Sequence, residues 1–152
     1  MSTCLESSVD QGEQWLQQAA EGGHAPAMHA FASQCDNDDE RRRWLREAAH
    51  EGYVPAMYDY GLNCSNPRQK KHWLRMAASE GHVQAMYLLG MDCDDPNERR
   101  RWLRMAAEEG HVPAMYTLGL ACSDPKEKRR WLDEAARNGW QAAMMELAEM
   151  GY

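Results

Sequence analysis

The sequence predicts an all-α fold, a right-handed α-solenoid of stacked antiparallel helix pairs with about ten helices. Three residue series carry that prediction. Trp15, Trp44, Trp73, Trp102 and Trp131 recur every 29 residues, and Gly23, Gly52, Gly81, Gly110 and Gly139 recur at the same interval. Met28, Met57, Met86, Met115 and Met144 form a third series in the same phase. Three residue types locked to one period mark a tandem array, in which each unit buries its apolar face only against its neighbours.

Each unit reads as two helices. The longer, helix B, is clearest in the string DPNERRRWLRMAAEEG. Asp95 stands at the N-cap, Pro96 at the first helical position and Glu98 three residues after the cap, which is the pattern that satisfies the free amides of a first turn. The signal recurs as Asn66, Pro67 and Gln69 and as Asp124, Pro125 and Glu127, with shorter forms at Asn37 and Glu40 and at Ser8 and Gln11. Trp102, Leu103, Ala106 and Ala107 then fall on one stripe of helical period, and a glycine closes the helix. The shorter helix A is seen in PAMYTLGLAC, where Ala114, Met115, Leu118, Gly119 and Cys122 share a face. At about three turns it is too short to stand alone in water, so its stability comes from packing. Gly61, Gly90 and Gly119 lie inside helix A, where glycine costs roughly 0.5–1 kcal/mol against alanine, and close helix contact is the expected reason.

In chain order this predicts one repeat domain over 1–152. A lone helix B cap spans 8–22, A/B pairs span 26–51, 55–80, 84–109 and 113–138, and a terminal helix A spans 142–150. The length of 152 residues fits a single domain. The net charge of -7 and the isoelectric point near 5.3 favour a basic partner over one bound through bulk phosphate attraction. Residues 1–10 show no cationic stretch leading into an apolar run, and no later window approaches a membrane span, so a cytoplasmic location and no membrane partner are expected. The five cysteines are odd in number. Cys35, Cys64, Cys93 and Cys122 fall one per unit with no CxxC spacing, and are expected to be reduced, acting as small apolar side chains.

The pattern A-x-x-x-L-G on helix A, Ala85 to Gly90 and Ala114 to Gly119, followed by WLRMAAEEG on helix B, resembles the Sel1-like repeat, a relative of the tetratricopeptide repeat. The resemblance covers nearly the whole chain. Two departures stand out. The family joins its helices through a glycine-rich loop in longer units, whereas Cys122 here leads almost directly into Asp124 and Pro125. Arg41, Lys70, Arg99 and Lys128 stand where the family has alanine. The resemblance implies a non-enzymatic adaptor or scaffold that assembles protein complexes, bacterial in several cases, with some partners being secreted effectors. It implies no catalytic residues and no cofactor.

In a solenoid the recurring positions hold the stack, so recognition is expected where chemistry changes between units on one exposed face. On helix A that face carries Ala30, Ser33 and Gln34, then Asp59, Leu62 and Asn63, then Leu88, Met91 and Asp92, then Thr117, Leu120 and Ala121. His29, Tyr58, Tyr87 and Tyr116 flank it. The expected partner-binding residues are Tyr58, Asp59, Leu62, Asn63, Tyr87, Leu88, Met91, Asp92, Tyr116, Thr117 and Leu120, forming a concave face for a protein partner. A purely structural reading of the tyrosines, as fillers between successive A helices, competes with it. By family analogy the partner could be a toxin or secreted effector that this chain neutralises; monomer or weak self-association is expected.

A rival face is the basic ladder of helix B: Arg41, Arg42 and Arg43, then Lys70, Lys71 and His72, then Arg99, Arg100 and Arg101, then Lys128, Arg129 and Arg130. Arginines in such a row suit phosphates or carboxylates. Glu40, Glu98 and Glu108 lie one helical turn from basic residues and neutralise part of the row, and the stem of Arg99 and its counterparts is expected to cover the tryptophan ring; nucleic acid is therefore disfavoured. His82 and His111 follow the helix-ending glycine, where Tyr53 and Trp140 stand in other units, and read as turn-packing residues. No Ser-His-Asp arrangement, dinucleotide fingerprint or phosphate loop is present, so catalytic, metal and cofactor sites are expected to be absent.

Overall fold

The computed structural model describes residues 3–151, with side chains from residue 11 onward. Among the described residues it holds ten α-helices and no strand. The chain divides into two compact units, Met1–Glu80 and Gly81–Tyr152.

The first unit contains α1 (Thr3–Glu21), α2 (Ala25–Gln34), α3 (Asp38–His50), α4 (Val54–Leu62) and α5 (Pro67–Ser79). The lone helix B therefore begins at Thr3, ahead of the Ser8 cap read from the sequence; no proline or glycine between Thr3 and Ser8 interrupts it. The second unit contains α6 (Val83–Asp92), α7 (Pro96–Glu108), α8 (Val112–Ala121), α9 (Pro125–Arg137) and α10 (Gln141–Glu149). Helices α2, α4, α6, α8 and α10 are A helices; the others are B helices. Within each unit, every helix packs on the next in the chain.

The start of each paired helix B is set by its cap. Asn37, Asn66, Asp95 and Asp124 adopt extended backbone, and each side chain accepts from an amide two residues on. The end is set by the recurring glycine. At Gly110 the backbone turns left-handed, with φ at 86°; its amide donates to Ala107 O at 3.0 Å and the next amide, His111 N, reaches Ala106 O at 3.0 Å. This pair of bonds satisfies two orphan carbonyls at once, and only glycine adopts the left-handed turn without strain. The amide of Tyr53 and that of Trp140 close the same ring onto Ala48 and Ala135.

The turn is so short that the residue after the glycine is already the N-cap of the following helix A. In three cases it is histidine: Nδ1 of His24, His82 and His111 accepts from the amides of Ala27, Ala85 and Ala114 at 3.2–3.3 Å. The sequence assigned His82 and His111 to turn packing; the finding is sharper, because an unprotonated ring nitrogen replaces the usual Ser or Asp oxygen.

The core repeats with the period. Leu45, Leu74, Leu103 and Leu132 of helix B are buried, as are Ala56, Ala85, Ala114 and Ala143 of helix A. Trp44 meets the edge of Phe31 at 5.5 Å and Trp73 that of Tyr60 at 5.4 Å; the fully buried Leu89 and Leu118 stand in the same register in the second unit. Trp15 is 72% exposed against 5% for Trp44, and no described helix A covers it. A Cβ on Gly90 would lie 2.8 Å from Leu103 Cγ and 3.3 Å from its backbone nitrogen, which explains the glycine inside helix A by close helix approach. Among the described residues no helix is long and apolar enough to cross a membrane.

Candidate interaction surface

Helix A of each unit offers its outer face between two fixed ends, the N-cap ring and the C-terminal turn. In the first unit the expected partner-binding residues lie on α4. Leu62 is 41% exposed. Asp59 Oδ2 lies 2.7 Å from Nε2 of His29 on α2, tying the two A helices together. Asn63 caps α4 and its side-chain amide returns to Asp59 O at 2.7 Å. Tyr58 is half-buried, and burial, aided by the Asp59 charge, pushes its hydroxyl above the ordinary tyrosine range.

In the second unit the tyrosines are packing elements. The Tyr87 ring lies 4.6 Å from that of His111, and Tyr116 lies 6.0 Å from Trp140. Each ring thus rests on the N-cap ring of the next helix A, as His29 rests on Tyr53 at 5.4 Å in the first unit. His111 also meets Gln84 Oε1 through Nε2 at 2.6 Å. Because Nδ1 accepts from Ala114, Nε2 carries the hydrogen and donates to the glutamine. Burial holds the His111 pKa below the ordinary histidine value, favouring this neutral form.

With the rings engaged, the open residues of the second unit are Met91, 51% exposed, and Leu120, 44% exposed, with Asp92 beside Met91. Leu88 and Thr117 are half-buried, and the Thr117 hydroxyl donates to Pro113 O at 2.8 Å. Leu62, Met91 and Leu120 occupy one register, 29 residues apart. The sequence reading counted Met144 in the methionine series and did not name Met145; both are exposed on α10, whereas Met28, Met57, Met86 and Met115 are buried. Met145 stands in the register of Tyr87 and Tyr116, and that spacing could have found it.

The helix B ladder is partly consumed by structure. Arg41 Nη2 donates to Cys35 O at 2.6 Å, and Arg99 donates to Cys93 O through Nε and Nη2 at 3.1 and 2.6 Å. This position, alanine in the family, closes the C-terminal turn of the preceding helix A. The expected stem over tryptophan comes instead from the residue directly before it: Arg43 lies 5.0 Å from the Trp44 ring and Arg130 5.3 Å from that of Trp131. Arg43 pairs with Glu47 at 3.5 Å, Arg129 with Asp133 at 3.7 Å, and Arg104 with Glu127 of the next helix B. Glu98 accepts from Trp102 Nε1 at 3.3 Å; its counterpart Glu127 holds Arg104, and the Trp131 indole N–H is left without an acceptor. Arg100 and Arg101 remain open, along a shallow groove of about 320 Å³ shared with Arg104, Met105 and Glu108.

Cys35, Cys64, Cys93 and Cys122 are free thiols, and burial raises the pKa of Cys35, Cys64 and Cys122 above the ordinary range. Protonated thiols are poor nucleophiles. Among the described residues no group of three His, Cys, Asp or Glu side chains is placed to hold a metal ion.

No family model and no curated protein sequence matches the chain. Solved structures do. A protective antigen of uropathogenic Escherichia coli strains, displaying an SLR fold, superposes with a TM-score of 0.85 at 27% identity over 91% of this chain and 36% of its own. A Sel1 repeat protein from Oxalobacter formigenes gives 0.75 at 26% identity, covering 87% of this chain and 64% of its own. The chain thus spans just over a third of the first and less than two thirds of the second. With its tandem helix pairs and glycine-closed helix B, the chain has the fold of these Sel1-like repeat structures, an α-solenoid built here on a 29-residue unit.

Proposed function

We propose that this chain is a non-enzymatic protein-binding module, an adaptor or inhibitor that grips its partner with the outer face of its A helices. The observation that carries this reading is the recurrence of an exposed apolar side chain at one repeat position of helix A, as Leu62, Met91 and Leu120. Side chains of that kind, open to water and held on a rigid scaffold, lose little conformational freedom on binding and gain from desolvation. Asp59, Asn63 and Tyr58 complete the face of α4 in the first unit, and Leu88, Asp92 and Thr117 that of α6 and α8 in the second, where Tyr87 and Tyr116 rest on the N-cap rings of the next A helices.

The helix B ridge fits a scaffold role better, since Arg41, Arg43, Arg99, Arg104, Arg129 and Arg130 all contact the protein itself. The test is affinity capture with the full chain, followed by titration of the captured partner against a Met91→Glu/Leu120→Glu variant. Loss of the partner with the helical circular dichroism retained supports the reading. A partner that binds the variant unchanged removes it.

A further inference from the structure

Charge is sorted between the two kinds of helix more strictly than recognition by shape alone requires. All 17 lysines and arginines of the chain lie on α3, α5, α7 and α9. The A helices carry no lysine or arginine. In the second unit their charged residues are Asp92 on α6 and Glu146 and Glu149 on α10, and these share the outer surface with Met91, Leu120 and Met145. The A helices there are neighbours, since His111 bonds Gln84 and Trp140 meets Tyr116.

Asp92 and Glu149 are also the last residues of their helices. A carboxylate in that place faces the negative end of the helix dipole, which disfavours it; cations are the stabilising choice there. B helices end in the same way, at Glu21 and Glu108, so the position alone assigns no role; what sets Asp92, Glu146 and Glu149 apart is that no lysine or arginine shares their helices. Among the described residues none of these three carboxylates has an ion-pair partner.

We infer that the A-helix face of the second unit takes a cationic amphipathic segment of a partner protein, with apolar side chains seated on Met91, Leu120 and Met145 and lysine or arginine side chains meeting Asp92, Glu146 and Glu149. The inference rests on the proposed use of the A face and adds the chemistry of what binds there. An amphipathic helix laid along such a face is read through anchors on one stripe, and the flanking charges fix its register and exclude acidic competitors.

The test uses the full chain and two synthetic peptides of identical length and spacing, one of leucine and lysine and one with glutamate for every lysine, titrated by calorimetry. The leucine–lysine peptide binds and the leucine–glutamate peptide does not. Its affinity falls about tenfold for the Asp92→Asn/Glu146→Gln/Glu149→Gln variant, as three partly exposed charge pairs would give. A control that neutralises Glu51, Glu80 and Glu109 at the ends of B helices stays within about twofold, which separates the site from bulk attraction to an acidic protein. Equal affinity for the two peptides, or equal loss in both variants, overturns the inference. So does light scattering that shows a second copy already covering the face. If Met91→Glu/Leu120→Glu weakens the peptide while the carboxylate variant does not, the A face stands as the binding surface and its cationic preference falls. If neither variant weakens it, both fall.

Discussion

Helix A and helix B have the same neighbours and contribute to the same core, yet their outer surfaces differ in every respect that matters for recognition. Helix B repeats its charges from unit to unit and directs many of them inward, onto the cysteine carbonyls, the tryptophan rings and the carboxylates of the same or the next helix B. Helix A lacks cations, changes its exposed residues from unit to unit and leaves Leu62, Met91 and Leu120 in water. A repeat protein can vary only those positions whose loss leaves the stack intact. The contrast therefore separates a constant structural helix from one whose outer face varies, the face proposed for recognition, and the predictions below probe that division.

The largest effect is expected where helix B meets the core. Leu103 is fully buried, and Leu103→Ala should cost about 2–5 kcal/mol in urea unfolding followed by tryptophan fluorescence. Met91→Ala, on the exposed face of helix A, should stay within about 0.5 kcal/mol. Comparable losses for the two would erase the division.

The next effect tests the close approach of the two helices. Gly90→Ala places a methyl against Leu103 Cγ and its buried neighbourhood, and should destabilise by about 1–3 kcal/mol despite the better helix propensity of alanine. Gly61→Ala meets nothing nearer than 3.2 Å and should cost less. The reverse order would mean that the contact in α6 is not what selects glycine.

A smaller effect concerns the turn that joins helix B to helix A. The neutral His111 ring caps α8, and burial lowers its pKa below that of the unfolded chain. The unfolded state then binds protons more readily, so the stability from this cap is complete above the unfolded value near 6.5 and is lost as pH falls through the lower folded value. Thermal melts should show a falling midpoint on acidification, and His111→Asn, which caps without titrating, should flatten part of that slope. An unchanged slope would place the pH dependence elsewhere. His111→Ala should cost roughly 0.5–2 kcal/mol at neutral pH, as lost caps do. The smallest effect is expected for Arg100→Ala/Arg101→Ala, exposed residues of helix B, within about 0.5 kcal/mol of the parent stability.

Much of the repeat was legible without coordinates, because its signals are local. Asn66, Asp95 and Asp124 announce helix starts through a side-chain bond two residues away, and the glycine series announces the stops through backbone geometry. The N-terminal extent of α1 was not legible: Ser8 is a good cap, but a residue able to cap is also able to sit within a helix when nothing upstream breaks it. The candidate surface was legible only as a stripe. Spacing placed Tyr87 and Met91 on the same side of α6, but their difference depends on the next unit, whose His111 ring lies against Tyr87 and leaves Met91 open. Long side chains escape sequence reading for the same reason. Arg99 and Arg101 are two residues apart in one basic run, and only the fold shows that Arg99 reaches back to Cys93 while Arg101 borders an open groove. The sorting of cations onto helix B was present in the sequence throughout, and became informative once the two helices of each unit had been delimited.

The division between the two helices is tested most directly by comparing two double variants against one captured partner. Met91→Glu/Leu120→Glu alters only helix A and Arg100→Ala/Arg101→Ala only helix B, both at exposed positions. The predicted result is a loss of at least about tenfold in affinity, about 1.4 kcal/mol, for the first and less than about twofold for the second. A partner that tolerates the helix A variant and is lost with the helix B variant would contradict the account.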